Sequence, residues 1–120
     1  MSILLKRVYA PPVEQDGFRV LVDHLWPRGV KKADAALDMW IKELAPSEGL
    51  RKCFHHDPEK WEEFKRRYFL ELEGNPEPLI ELGKKARKGR LTLVYASKEE
   101  RFNNAVALKE YLETRMRLEE

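Results

Sequence analysis

Apolar residues fall along this chain in two rhythms. Ile3 to Tyr9, Phe18 to Val22 and Leu91 to Ala96 are short runs rich in β-branched and aromatic residues. Such runs predict strands, and the last two, apolar almost throughout, predict strands covered on both faces. Pro11, Pro12 and Gly17 force a loop between the first two, and the second should stop before Pro27. From Leu37 to Ala86, and again after Asn104, apolar positions recur every three or four residues, the period of an amphipathic helix. Leu37, Trp40, Ile41 and Leu44 predict a first helix, with Asp34 as its cap and Ala45-Pro46 as its end. Ser47 caps a short second helix carrying Leu50, Cys53 and Phe54. A third starts at Asp57-Pro58, runs its stripe through Trp61, Phe64, Tyr68 and Leu72, and stops at Gly74. A fourth begins at Pro78, carries Leu79, Leu82 and Ala86, and stops at Gly89. Asn103 or Asn104 caps the last, whose face holds Ala105, Leu108, Leu112 and Met116; from Arg117 onward it is charged and expected to fray.

Strand, strand, several helices, strand, helix is the order of an α/β protein with a small, mostly parallel sheet flanked by helices. Three strands are few for such a sheet, so a fourth short one is expected within the loops. The chain has 120 residues, which is one domain by length, and 42% of them are hydrophobic, enough for a core. Charged residues make up 37%, but 23 basic against 21 acidic leave a net charge of only +2. That balance argues against disorder by self-repulsion and gives no strong nucleic-acid footprint. Repeats, low-complexity segments and linkers are lacking. The apolar run at the N-terminus is too short for a signal peptide, with its charges on the wrong side, and nothing approaches the length of a membrane span. A single cysteine, Cys53, rules out an internal disulfide. The expectation is a cytoplasmic protein.

In open α/β sheets ligands bind beyond the carboxyl ends of the strands. Here those ends carry DHLWPRG, Asp23 to Gly29, and SKEERFNN, Ser97 to Asn104. If the two strands are parallel neighbours, Asp23, Arg28, Ser97, Lys98 and Asn103 approach one crevice. Arg28 offers a planar fork for a carboxylate or phosphate, and Gly29 lets a backbone amide come close to it. Asp23 suits a general base or a group that orients a ligand hydroxyl. The plainer alternative is an Asp23–Arg28 ion pair that staples the turn. Trp26, followed by Pro27, reads as a lid over the sheet edge, while Trp40 and Trp61 lie on apolar stripes and read as core.

RKCFHHDP, Arg51 to Pro58, gathers Cys53, His55, His56 and Asp57, yet C-x-H-H matches no usual zinc spacing. The apolar neighbours Leu50 and Phe54 make Cys53 a core residue, and Asp57, just before Pro58, reads as a helix cap. His56, in the loop before that cap, keeps interest as an acid/base group. KKARKGR, Lys84 to Arg90, complements the dipole at the end of the fourth helix, or else forms a phosphate-backbone patch. Walker, Rossmann, G-x-S-x-G and H-E-x-x-H motifs are missing, so no cofactor and no metal is assigned.

The strings VDHLWPRGVKK, WIKELAPSEGLRKCFHHDPEKWEEF and LTLVYASKEERFNNAVAL occur in this order and near these separations. The chain resembles the YeaO-like proteins over roughly Lys6 to Leu112. The resemblance implies an α/β three-layer fold and brings no established activity. It places emphasis on Asp23, Trp26, Pro27, Arg28, Gly29, Lys32, Trp40, Lys42, Pro46, Ser47, Arg51, His56, Asp57, Tyr95 and Asn103. Two positions depart from the family pattern: His24 stands where arginine is usual, and Cys53 where tryptophan is. A longer branch carries an Asp-Val-Arg string at the first strand end and a Cys-His-Arg string after the second, where this chain has Asn103 and Asn104.

Three functions compete on this sequence. The first is binding of, or catalysis on, an anionic small molecule, a nucleotide or sugar phosphate, at the two strand ends. There Arg28 and Arg51 clamp the anion, Trp26, Ser97 and Asn103 contact the substrate, and Asp23 and His56 are the catalytic candidates. The second is a nucleic-acid-associated module using Lys84 to Arg90 with Lys31 and Lys32. The third is an interaction module without catalysis, with Trp26 as its anchor.

Overall fold

A computed structural model describes residues 2–55 and 57–119. Four strands form one parallel sheet: β1 (Ser2–Arg7), β2 (Phe18–Leu21), β3 (Met39–Trp40) and β4 (Arg90–Tyr95), in the order β1-β4-β2-β3. Five α-helices accompany them: α1 (Lys32–Ala35), α2 (Glu48–Phe54), α3 (Trp61–Glu73), α4 (Pro76–Lys88) and α5 (Asn104–Glu119). The α/β class and the parallel sheet are as the strand pattern predicts. Register places Leu21 beside Val94 and Arg7 beside Tyr95, so the chain leaves β1, β2 and β4 at one common edge.

Alternation along the strands splits the core into two unequal parts. Val20, Val22, Leu91, Leu93 and Tyr95 share one cluster with the buried stripes of α2, α3, α4 and α5. Leu21 and Val94 belong to a smaller cluster with Val8 and Ala35, under Trp26, Val30, Leu37 and Trp40. One face of the sheet is thus covered by the long helices and the other by α1 and the loop after β2. At the amino end of β2 and β4 polar groups are buried as well. Arg19, 3% exposed, donates from Nη1 to Asp16 Oδ2 at 2.7 Å and from Nη2 to the Ala35 carbonyl at 2.8 Å. Lys6 adds a second cation on Asp16 at 3.0 Å. Gly17, which leads into β2, has φ +66°, and a Cβ there would lie 2.3 Å from the Arg90 carbonyl oxygen. Glycine is the residue that both conditions admit.

The expected first helix over Leu37 to Leu44 is not formed. Met39 and Trp40 instead make the fourth strand, paired with Val20 and Leu21, and Lys42–Leu44 is a 3-10 turn. The reason lies in the two clusters: Leu37 and Trp40 pack into the smaller one, Ile41 and Leu44 into the larger. A strand at the sheet edge can serve both faces, whereas a helix buries one stripe. Asp34 lies in the first turn of the four-residue α1 and is not the cap of a long helix. Cys53 is exposed, so the core assignment fails for it, although Leu50 and Phe54 beside it are buried. Ser47 does cap α2 through Leu50 N, and Asp57 caps the 3-10 turn that precedes α3. The fourth helix begins at Pro76, two residues before the expected start.

Candidate functional site

The loops that follow β2 and β4 enclose a crevice of about 460 Å³. Asp23, Trp26, Arg28, Arg51, Ser97 and Asn104 are among its lining residues, with Tyr9, His24, Pro27 and Pro46. Five of the seven residues singled out from sequence therefore meet there: Asp23, Trp26, Arg28, Arg51 and Ser97.

Asp23 ties the two strand ends together. Its Oδ2 accepts from the Ala96 amide at 2.8 Å and its Oδ1 from Asn104 Nδ2 at 3.2 Å. The same Asn104 amide also donates to the Val22 carbonyl at 3.1 Å, and Trp40 Nε1 donates to the Asp23 carbonyl at 2.8 Å. The stapling ion pair with Arg28 is not formed. Arg28 is exposed, and among the described residues its guanidinium has no ion pair and no hydrogen bond. Its backbone is held, however, since Tyr9 Oη donates to the Arg28 carbonyl at 2.9 Å. Val30 N and the Pro27 carbonyl, at 3.4 Å, close the turn around Gly29, whose φ of +77° explains the glycine.

Trp26 is a wall of the crevice and not a free lid. It is half-buried, donates from Nε1 to the Val30 carbonyl at 2.7 Å, and meets Trp40 edge-on with centroids 5.4 Å apart. Ser97 is anchored too: its hydroxyl accepts from Glu99 N at 3.0 Å, and its carbonyl from Arg7 Nε at 2.9 Å. Arg51 arrives from α2, and its Nε is buried with no hydrogen-bond partner among the described residues. Beneath this region Tyr68, from α3, donates its hydroxyl to the Leu44 carbonyl. Burial, and then the charges of Asp23 and Glu71, push its phenol far above the usual range. Burial, followed by Glu100, also holds the Tyr95 phenol up.

Asn103 does not reach the crevice. It is fully buried, accepts from Val106 N at 3.0 Å and donates to the Glu99 carbonyl at 2.7 Å, so it caps α5. Its neighbour Asn104 is the one that faces the site, a residue that spacing marked only as an alternative cap. His56 lies outside the described residues. Arg7 and Tyr9 escaped notice because each meets its partner far along the chain, Arg7 at Ala96 and Ser97 after β4 and Tyr9 at Arg28 after β2. Among the described residues no three His, Cys, Asp or Glu side chains are grouped to hold a metal ion. The basic run from Lys84 to Arg90 ends α4 and opens β4, at the sheet's amino edge, while Lys31 and Lys32 follow the carboxyl end of β2. The two sets do not share the crevice or one edge of the sheet. No described helix is long and apolar enough to cross a membrane.

Residues 2–120 match a family model, DUF488-N3i, described as the inactive DUF488-N3 subclade. The chain is 45% identical over 112 residues to the uncharacterised protein YeaO of Escherichia coli K12, covering 93% of this chain and 97% of that one. It is 38% identical over 113 residues to an uncharacterised protein of Mycobacterium tuberculosis H37Rv, covering 94% and 95%. No solved structure matches the chain.

Proposed function

The chain belongs to the YeaO-like family, in the inactive DUF488-N3 subclade, and we propose that it binds an anionic small molecule, a nucleotide or sugar phosphate, in this crevice without transforming it. The observation that carries the proposal is Arg51. A buried N–H without an acceptor costs about 1–3 kcal/mol, and an anion oxygen in the crevice removes that cost. Arg28 lines the same space with a guanidinium that has no partner among the described residues, so two forks are available to one ligand.

Binding fits the remaining groups better than chemistry does. The Asp23 carboxylate is engaged by a backbone amide and by Asn104, an arrangement that orients strand ends. Ser97 accepts from the backbone two residues on, and among the described residues no base is bonded to it as a nucleophile needs. The description of the matched subclade as inactive agrees with this.

The test is thermal unfolding with adenosine monophosphate, ribose 5-phosphate or inorganic phosphate. At least one should raise the midpoint of the wild-type protein. Arg28→Ala should abolish that rise and leave the ligand-free midpoint unchanged, because the side chain is exposed and has no bond among the described residues. A variant that unfolds, or that keeps the full ligand shift, defeats the proposal.

A further inference from the structure

The crevice is not the only space that Arg51 borders. A second cavity of about 450 Å³ adjoins it and is lined by His24, Leu25, Glu48, Arg51, Lys52 and His55. His24, Leu25 and Arg51 line both. The first space offers Arg28 and Arg51 to an anion. The second offers Lys52, His24 and His55 beside the same arginine. Glu48 is its one acid, and it is already ion-paired with Lys52 at 3.0 Å across an exposed surface. An exposed pair of this kind opens at little cost.

His55 adds an independent observation. It follows α2 with φ +47° and ψ +39°, the left-handed conformation in which glycine or asparagine is the usual helix stop. A histidine there is strained by its own Cβ. Strained backbone of this kind clusters at active sites and ligand clamps.

We propose that the two cavities form one site for a ligand carrying two linked phosphate-type groups, as in a nucleoside diphosphate. One group is held by Arg28 and Arg51, the other by Lys52 and His55, with Arg51 between them. The proposal rests on the anion-binding role given to the crevice above.

Isothermal titration calorimetry of the full chain with pyrophosphate and with inorganic phosphate separates the two ideas. Wild type should bind pyrophosphate at least about tenfold tighter than phosphate, since a second charge-assisted contact is made. His55→Gly and Lys52→Ala should each bring that ratio towards unity and leave phosphate affinity alone. Because glycine relieves the left-handed strain, His55→Gly should unfold no earlier than wild type, which separates lost binding from lost folding. Equal affinities for the two anions in wild type, or a ratio unchanged in both variants, overturn the two-cavity site and leave the single-anion site standing. Binding of neither anion overturns both.

Discussion

Asp23 and Arg28 lie five residues apart and are opposite in charge, which makes an ion pair the economical expectation. The structure sends them apart instead. The carboxylate turns inward to the Ala96 amide and Asn104, while the guanidinium stays in the crevice, where among the described residues it has no partner. A carboxylate that bonds a backbone amide of the neighbouring loop acts as a cross-strand brace. Hydrogen bonds to charged groups are worth about 1.5–3 kcal/mol, so Asp23→Ala should lose about that much stability in urea unfolding. Arg28→Ala should lose almost none, and equal losses in the two variants would contradict this division. Cys53 makes the same point from the apolar side. Its place between buried neighbours marks it as core, yet α2 is short and Cys53 falls on its open face.

The helices α2 to α5 were legible because their signals are local. Ser47, Asp57, Gly74 and Gly89 act on the backbone within four residues, and the stripes of α3 and α5 bury as their spacing requires. Asn103 belongs to this scale: as the cap of α5 it bonds Val106 N and the Glu99 carbonyl. Asn103→Ala should cost about 1–2 kcal/mol, and Asn103→Asp should recover part of it, read by chemical denaturation. A stability unchanged by Asn103→Ala would return the residue to the ligand side of the ledger. The strand β3 was not legible. Leu37, Trp40, Ile41 and Leu44, in and around it, fall at helical spacing by coincidence, and they belong to two clusters on opposite faces of the sheet. What forms the strand is contact with β2: Asp38 N donates to the Arg19 carbonyl at 2.8 Å, and Asp38 Oδ2 accepts from Arg19 N at 2.8 Å. Neither bond has a signature within a window of neighbouring residues.

Across the whole molecule the two ends of the sheet have different tasks. The carboxyl end holds the crevice. The amino end holds Asp16, Arg19 and Lys6, a buried charge cluster that also accepts Thr92 Oγ1 at the Asp16 carbonyl, 2.6 Å away. Burial alone would raise the Asp16 carboxyl, but the Val13 amide, Lys6 and Arg19 together hold it below the ordinary value of 3.8. A carboxyl lowered in the folded state stabilises the protein above its unfolded value, and the contribution is lost as pH falls through the lowered one. Stability should therefore drop as the solution is acidified below that ordinary value. Asp16→Asn should flatten this acid limb and cost about 3–5 kcal/mol at neutral pH, since Arg19 is left buried without its partner. Equilibrium unfolding of both proteins across the acid range is the measurement, and an unchanged limb in the variant would show that other carboxylates govern it.

By itself the sequence determined where three strands and four helices run, and which polar residues each strand end delivers, because caps, breakers and periodicity act between near neighbours. It also carried the family strings around Asp23 and Leu91. Only the tertiary structure decided which of those residues meet. The order β1-β4-β2-β3 sets the loop after Leu21 beside the loop after Tyr95, more than 70 residues away. Docking of α2 against α3 then brings Arg51 to the same place, with its Nε buried and without an acceptor among the described residues. Strand order and helix docking follow from how whole faces bury against one another, and that sum over distant residues leaves no local mark in the chain.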